Sequence, residues 1–248
     1  MMNKMLTKNF RINNFVPTIV WVKENDSFHT RVCVYNYFSE LYPGVQDGAK
    51  VYLWFFNNIG EEIAHRCIEL PFKGQLQFEL SELNLHFEGT VGLCLIPNIL
   101  PEGNLENVGT GYYVYYHDNN EHADMSHEWE QMKFTYSKSS PWLCVIRPDL
   151  FPDIKLIVMN CYYGLDEIGT ADWEIRIRNG KGKILMNKLM PKIPPRGSVC
   201  VEILSIFPTL KNISKQEIIS VEVIGSNIQG PFTFVSIPTG DFNIHHFC

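Results

Sequence analysis

The 248-residue chain lacks the features that mark several large classes of protein. It has no excess of positive charge, since 21 Lys and Arg residues stand against 27 Asp and Glu residues. This balance argues against a dedicated nucleic-acid-binding protein, whose affinity comes mainly from basic side chains that neutralise phosphates. No apolar run approaches the roughly 20 residues that cross a bilayer as a helix, so we expect no membrane span.

Signals for export and for disulfide bonding are missing as well. Residues 1–14 are rich in Asn and Lys and lack the apolar core of a signal peptide. The seven cysteines form no CxxC pair, and most lie in alternating apolar segments, where Cys behaves as a small hydrophobe. We therefore expect reduced thiols and a cytoplasmic protein.

The short motifs of several common enzyme classes do not occur. The sequence contains no GxSxG elbow, no GxGxxG loop, no phosphate-binding GxxxxGKS or GxxxxGKT loop and no HExxH. A Cys–His dyad depends on spatial proximity, which spacing does not establish. The sequence favours a binding or adaptor protein without catalytic activity, and leaves a metal-dependent enzyme as an alternative.

Polar and apolar residues alternate along most of the chain, for example in residues 30–35, 75–80, 173–178 and 220–224. A period of two is typical of strands with one buried face. No stretch of 12 residues carries the apolar stripe of a helix. Turn residues recur every 8–12 positions, as in β-sandwiches, so the sequence predicts an all-β chain of about 16 antiparallel strands.

An internal repeat divides the chain into two related halves. Residues 70–80 align with residues 193–203, each reading apolar, Pro, any residue, basic, Gly and then a strand with an acid at the same place. In this turn we expect Pro to fix φ and Gly to supply a positive φ. Further matches keep an offset of 122–124 residues, namely Asn36 with Asn160, Asn57 with Asn179 and Gly60 with Gly182. We predict a tandem duplication that gives two antiparallel β-sandwich domains, residues 1–138 and 139–248.

One predicted strand, residues 51–56, is apolar at every position. A strand of this composition is expected to be covered on both faces. The second cover would come from the sister domain or from another subunit.

The second half resembles a known family of small proteins. It runs from Trp142–Ile146 to a strand ending at Asn160, then residues 171–177, the Pro-Pro-Arg-Gly turn and residues 223–227 before a Pro and an apolar strand. This order resembles the β-sandwich of the sensory rhodopsin transducer family over most of residues 141–247, and through the repeat over residues 17–117. Residues 241–247 depart from the family pattern. The resemblance implies a cytoplasmic, oligomeric β-sandwich that binds a partner without catalysis.

Acidic residues and histidines crowd residues 117–130. Imidazole and carboxylate groups are common ligands of divalent transition metals. A similar segment occurs near residue 245, where Asp241 and His245 follow Asp118 and His122 at an offset of 123. A metal site in one or both halves is therefore an alternative to two solvated loops. Its candidate ligands are Asp118, His122, His127, Asp241, His245 and His246.

Residues 111–116 read Gly-Tyr-Tyr-Val-Tyr-Tyr. Aromatic rings on a sheet can stack on sugars and donate hydrogen bonds from their hydroxyls. More often such rings pack on cross-strand neighbours. Tyr113 and Tyr116 are the ligand-binding candidates on this strand, and they would make the chain a carbohydrate-binding module.

The two halves differ in charge. Residues 1–138 contain 10 basic and 17 acidic residues, and residues 139–248 contain 11 and 10. Between Glu174 and Glu202 there are seven basic residues and no acid. On one face of a hairpin, Arg176, Arg178 and Lys183 could bind an anion or an acidic segment of a neighbouring subunit, or simply guard an edge strand. We expect the partner to be a protein or a second copy of the chain, with carbohydrate as an alternative.

Overall fold

The computed structural model describes residues 17–41, 46–99, 112–120, 122–126, 142–147, 153–162, 169–213, 218–236 and 242–246. Strands dominate these residues, which confirms the predicted all-β class. None of the helices in the described ranges is long and apolar enough to span a membrane. The strands are β1 (Thr18–Glu24), β2 (Phe28–Tyr35), β3 (Ala49–Asn57), β4 (Glu62–Leu70), β5 (Gln75–Glu79), β6 (Phe87–Pro97), β7 (Tyr112–Asp118), β8 (Ala123–Ser126), β9 (Trp142–Ile146), β10 (Asp153–Asn160), β11 (Trp173–Asn179), β12 (Ile184–Leu189), β13 (Ser198–Glu202), β14 (Ile219–Gly225), β15 (Ile228–Ser236) and β16 (Phe242–His246). The helical turns are α1 (Phe38–Leu41), a 3₁₀ turn (Leu80–Leu83), α2 (Ile203–Ile206) and a second 3₁₀ turn (Pro208–Asn212).

The strands form four antiparallel sheets of four strands each. Sheet I has the order β5-β2-β7-β8, sheet II β1-β6-β3-β4, sheet III β13-β10-β15-β16 and sheet IV β12-β11-β14-β9. Adding eight to each strand number of sheets I and II gives the strand orders of sheets III and IV. The two halves of the chain therefore repeat one topology. A tandem duplication would produce this repeat, but the duplication itself stays a prediction, and the predicted boundary at residue 138 lies outside the described residues.

The repeated turn has the same geometry in both halves, but its left-handed residue is not the glycine. Lys73 has a φ of 54° and Arg196 a φ of 64°. In each half a backbone hydrogen bond closes the turn. The N–H of Gly74 donates to the carbonyl of Pro71 (2.9 Å), and the N–H of Gly197 donates to the carbonyl of Pro194 (3.0 Å). The expectation that Gly supplies the positive φ is wrong, because the preceding basic residue adopts it.

Strands β1, β3 and β6 of sheet II are buried on both faces, as the apolar composition of residues 51–56 predicts for β3. On one face Phe55 packs against sheet I, where its ring centroid lies 5.7 Å from that of Phe78. On the other face, Trp54 and Phe56 are also buried. The alternation of a β-strand sends these neighbouring residues to opposite faces, so two covers are needed.

The second cover of sheet II is sheet III, from the other half of the chain. Ile157, Met159 and Cys161 belong to the same hydrophobic core as the strands of sheet II. The alternate residues of β10, such as Leu156 and Val158, belong to a second core shared with sheet IV. The sheets are therefore stacked in the order I, II, III, IV, and only sheets I and IV have a face outside the stack.

Specific contacts join sheets II and III at the repeated turn. The Thr90 hydroxyl donates to the carbonyl of Arg196 (2.7 Å), and the N–H of Ser198 donates to the carbonyl of Asn58 (3.0 Å). The Arg196 guanidinium lies over the ring of Phe56, 5.0 Å from its centroid. A Cβ on Gly60 would lie 1.9 Å from the carbonyl oxygen of Pro195. The turn of the second half thus packs closely on the β3–β4 turn of the first.

Candidate binding face on sheet I

The outer face of sheet I carries exposed aromatic side chains. Tyr113 is 48% exposed and Tyr115 is 37% exposed, whereas Tyr112 and Val114 at the alternate positions are buried. Antiparallel pairing places residues of β2, β5 and β8 beside the two tyrosines. We call this surface the tyrosine face, and it consists of Arg31, Cys33, Gln77, Tyr113, Tyr115 and Met125.

Of the two tyrosines predicted to bind a ligand, Tyr113 lies on the tyrosine face and Tyr116 lies in the core. They are three residues apart on one strand, so their side chains lie on opposite faces. Tyr116 is 1% exposed, and its hydroxyl donates to the backbone carbonyl of Trp21 at 2.7 Å. The sequence reading missed Tyr115, although strict alternation from Tyr113 would have identified it.

Arg31 lies in the middle of the tyrosine face. In the strand register it is the direct neighbour of Tyr115 on β7 and of Glu79 on β5. Its guanidinium forms an ion pair with the Glu79 carboxylate, and its side chain stays 42% exposed. An arginine held in place beside two exposed tyrosines presents a cationic and an aromatic group on one flat surface.

Two histidines lie at one end of this face. The ring centroids of His29 and His117 are 5.3 Å apart. His29 Nδ1 lies 2.7 Å from a carboxylate oxygen of the buried Glu24, and its Nε2 lies 2.9 Å from Asn119 Oδ1. The hydrogen bond with Glu24 raises the pKa of His29 above 6.5; burial opposes this effect, and the bond with Asn119 adds to it.

We expect the stabilising contribution of His29 to depend on pH. Because its pKa is raised in the folded protein, the contribution is complete below the unfolded value near 6.5 and is lost as the pH rises through the folded pKa. An NMR titration should show the His29 pKa above 6.5, and Glu24→Gln should lower it more than Asn119→Ala. Equal effects of the two substitutions would contradict the assignment of Glu24 as the main cause.

Of the six predicted metal ligands, the structure brings Asp118 and His122 together. A carboxylate oxygen of Asp118 lies 2.9 Å from His122 Nδ1, and the other accepts the backbone N–H groups of Asn120 and His122. Burial raises the pKa of Asp118, but these hydrogen bonds outweigh it and lower the pKa overall. This geometry is that of a carboxylate which closes the β7–β8 turn.

The metal site itself stays a prediction. Within the described ranges, no three His, Cys, Asp or Glu side chains are placed to hold an ion. His127 and Asp241 lie outside those ranges, and for His245 and His246 the structure describes only the backbone of β16.

The strand register aligns the segment around Asp118 with the segment around residue 245 at an offset different from the 123 positions of the sequence alignment. Arg31 pairs with Tyr115, and Lys155, which follows Arg31 by 124 positions, pairs with Phe234. Tyr115 and Phe234 are 119 positions apart, so the offset of 123 does not hold here. By this register Asp241 corresponds to His122 and not to Asp118.

The basic hairpin lies on the outer face of sheet IV, where acids already neutralise its arginines. Strand β14 places Glu222 next to Arg176. The Arg178 guanidinium donates two hydrogen bonds to Glu222, at 2.9 and 3.1 Å, and Arg176 pairs with Glu174 and lies 3.7 Å from Glu222. These ion pairs offset the charge of both arginines, and the anion site at this hairpin stays a prediction. Lys183, the third candidate, lies at the hairpin turn, where its backbone N–H donates to Asn179.

Comparison with known proteins adds little. No known family and no curated protein matches the chain. One solved structure that it resembles is that of the M60 catalytic domain with the CBM51-1 and CBM51-2 domains from Clostridium perfringens ZmpB. The identity is 8% and the TM-score 0.21, and the match covers 90% of this chain and 34% of that one. The chain thus spans about a third of that structure's length, and so low a TM-score supports no argument about function.

Proposed function

We propose that the chain is a non-enzymatic binding protein that contacts a protein partner through the tyrosine face of sheet I. The observation that carries the proposal is the pair of exposed tyrosines, Tyr113 and Tyr115, on a sheet whose opposite face packs against sheet II. A strand needs one apolar face to fold, and the two tyrosines lie on the opposite face, where both remain partly exposed. Exposing two large aromatic rings to water is unfavourable, and a partner that covered the rings would remove this cost.

The composition of this face favours a protein partner. Tyr, Met and Arg are enriched in protein–protein interfaces, and the tyrosine face places Arg31 and the 41% exposed Met125 directly beside Tyr115. A tyrosine has few rotamers to lose on binding, so its buried area is gained at low entropic cost. A cytoplasmic location, and the kind of oligomeric adaptor implied by the resemblance to the sensory rhodopsin transducer family, belong to the same proposal.

Affinity capture with matched variants tests the proposed function. The immobilised chain is compared with Tyr113→Ser/Tyr115→Ser and with the control Ile59→Ser, which removes a 55% exposed side chain on the β3–β4 turn of sheet II. We expect a bound protein, identified by mass spectrometry and then purified, to lose at least about tenfold in affinity for the double variant only, equivalent to about 1.4 kcal/mol.

Equal binding by all three proteins would contradict the proposal. In parallel, a glycan array is probed with the same set. Binding of a sugar that the double variant alone has lost would replace the protein partner by a carbohydrate.

A further inference from the structure

The outer faces of sheets I and IV correspond to the faces of sheets III and II that pack against each other. Sheet III repeats the topology of sheet I, and it packs on sheet II with the face that sheet I leaves open. Ile157 of the packed face corresponds to Cys33 of the tyrosine face, at the offset of 124 that also relates Asn160 to Asn36. The tyrosine face therefore has, in its own chain, a counterpart whose binding partner is known.

Sheet IV completes the correspondence. In sheet II, Trp54 pairs with Gly92 on the face that sheet III covers. In sheet IV, Arg176, which follows Trp54 by 122 positions, pairs with Glu222 on the outer face. In the strand register, Ile19, Trp21, Tyr52, Trp54 and Phe56 share this face of sheet II, and they correspond to Leu143, Val145, Glu174, Arg176 and Arg178.

The turn of the first half that packs on the second half has a counterpart at Gly182, and a Cβ added there would meet no atom within 4 Å. Gly60 and Gly182 have φ values of 79° and 77°, and each closes its turn with a 2.9 Å backbone hydrogen bond. A Cβ on Gly60, in contrast, would collide with Pro195. On sheet I, Lys73 keeps the left-handed conformation that Arg196 uses in the internal contact. The turn at Gly182 on sheet IV and the turn at Lys73 on sheet I therefore have the conformations of the two turns that meet between sheets II and III. They lie at opposite ends of the stack.

The outer face of sheet IV has the composition of a reversible contact. Leu143, Val145 and Leu189 are 43%, 66% and 75% exposed, and they flank the ion pairs of Arg176 and Arg178. These apolar groups surround neutralised charges, so the outer face of sheet IV is less apolar than the face of sheet II that packs on sheet III. The half that carries sheet I has seven more acids than bases, and the half that carries sheet IV has one more base than acids. A head-to-tail contact therefore brings together halves of opposite net charge.

We propose that copies of the chain associate head to tail, with the outer face of sheet IV of one copy docked on the tyrosine face of the next. This inference rests on the proposed function, since it uses the same face, and it names a second copy of the chain as the partner. The contact follows the arrangement that joins sheets II and III within one chain. Because it is heterologous, each copy keeps one free end and association continues beyond the dimer.

Mixing two one-sided variants tests the arrangement. Val145→Glu blocks the sheet IV end and Tyr115→Glu blocks the sheet I end, with Leu143→Glu and Tyr113→Glu as second variants at each end. Sedimentation velocity is run up to about 1 mM, where about 40% of contacts with a Kd near 1 mM are occupied. We expect the wild-type mass to rise past the dimer with concentration and each variant alone to stay monomeric. An equimolar mixture of opposite variants should form a dimer and nothing larger.

Two results would overturn the inference: a wild-type chain that is monomeric throughout, or a single variant that still dimerises, which would indicate like-to-like pairing. Unchanged NMR spectra outside the altered face confirm that each variant is folded. The proposed function fails separately. If the wild type is monomeric but a Tyr113/Tyr115-dependent partner is captured, only the head-to-tail inference is lost.

Discussion

Gly60→Ala should destabilise the chain by about 2 kcal/mol more than Gly182→Ala. Both glycines have left-handed φ values, 79° and 77°, so replacing either by Ala costs about 1 kcal/mol of backbone strain. Only Gly60 lies against the other half, where a Cβ would sit 1.9 Å from the carbonyl oxygen of Pro195. Relieving that overlap requires a backbone shift. By analogy with an overpacked core residue, the shift costs about 1–3 kcal/mol more.

Urea unfolding of the two variants measures this difference, because the shared φ cost cancels between them. The excess destabilisation of Gly60→Ala reports the contact between sheets II and III alone. Equal free energies of unfolding would mean that the turn of one half does not pack on the other in solution. The stack of four sheets would then be wrong at the II–III contact.

Asn160→Ala should cost about 3 kcal/mol, and the corresponding Asn36→Ala about 1 kcal/mol. Asn160 is fully buried, and its amide donates to the carbonyls of Gly169 (2.7 Å) and Ile193 (2.9 Å) while its oxygen accepts the N–H of Tyr162 (2.9 Å). Its loss removes three hydrogen bonds and leaves a buried N–H without that acceptor.

Asn36 is the matched control for this substitution. It occupies the equivalent position at the end of β2 and is 1% exposed, but its amide makes a single 3.2 Å hydrogen bond, to the carbonyl of Pro71. Chemical unfolding of both variants gives the comparison. A cost for Asn36→Ala as large as that for Asn160→Ala would contradict the view that the extra bonds of Asn160 hold the segment leading from β10 to β11.

Local patterns in the sequence predicted much of the fold. The period of two identified strands, and the wholly apolar residues 51–56 identified a strand of sheet II, one of the two sheets that are covered on both faces. The Pro-Gly turn is repeated in structure as it is in sequence, although Lys73 and Arg196 adopt the positive φ. These features depend on neighbouring residues along the chain, and a sequence window contains all the information that they need.

The candidate site was predicted less well, because its geometry depends on distant residues. The arginines of the basic hairpin looked free, since Glu222 is 44 positions from Arg178 and only the pairing of β11 with β14 brings them together. The metal alignment failed for a related reason. The connection from β6 to β7 spans residues 98–111, but its counterpart contains only Ser226 and Asn227, so one constant offset cannot hold across it.

The tyrosines of β7 show that composition alone does not identify which side chains are exposed, because strand alternation decides the face of each residue. Four tyrosines in five positions suggest an aromatic surface, yet Tyr112 and Tyr116 fill the core between sheets I and II. The exposed pair is Tyr113 and Tyr115, and the chemistry of the face comes equally from Arg31 on β2 and Met125 on β8. Those neighbours are set by strand order, which the sequence alone did not provide.

The most direct test of the tyrosine face is site-specific photo-crosslinking with a benzophenone side chain at Tyr113, compared with the same side chain at Ile59. Both positions are well exposed, but Ile59 lies on the β3–β4 turn of sheet II and not on sheet I. We predict crosslinks from position 113 to another protein molecule, either a different partner or a second copy of the chain, and none above background from position 59. The same adducts at both positions, or none at position 113, would contradict the proposed binding function.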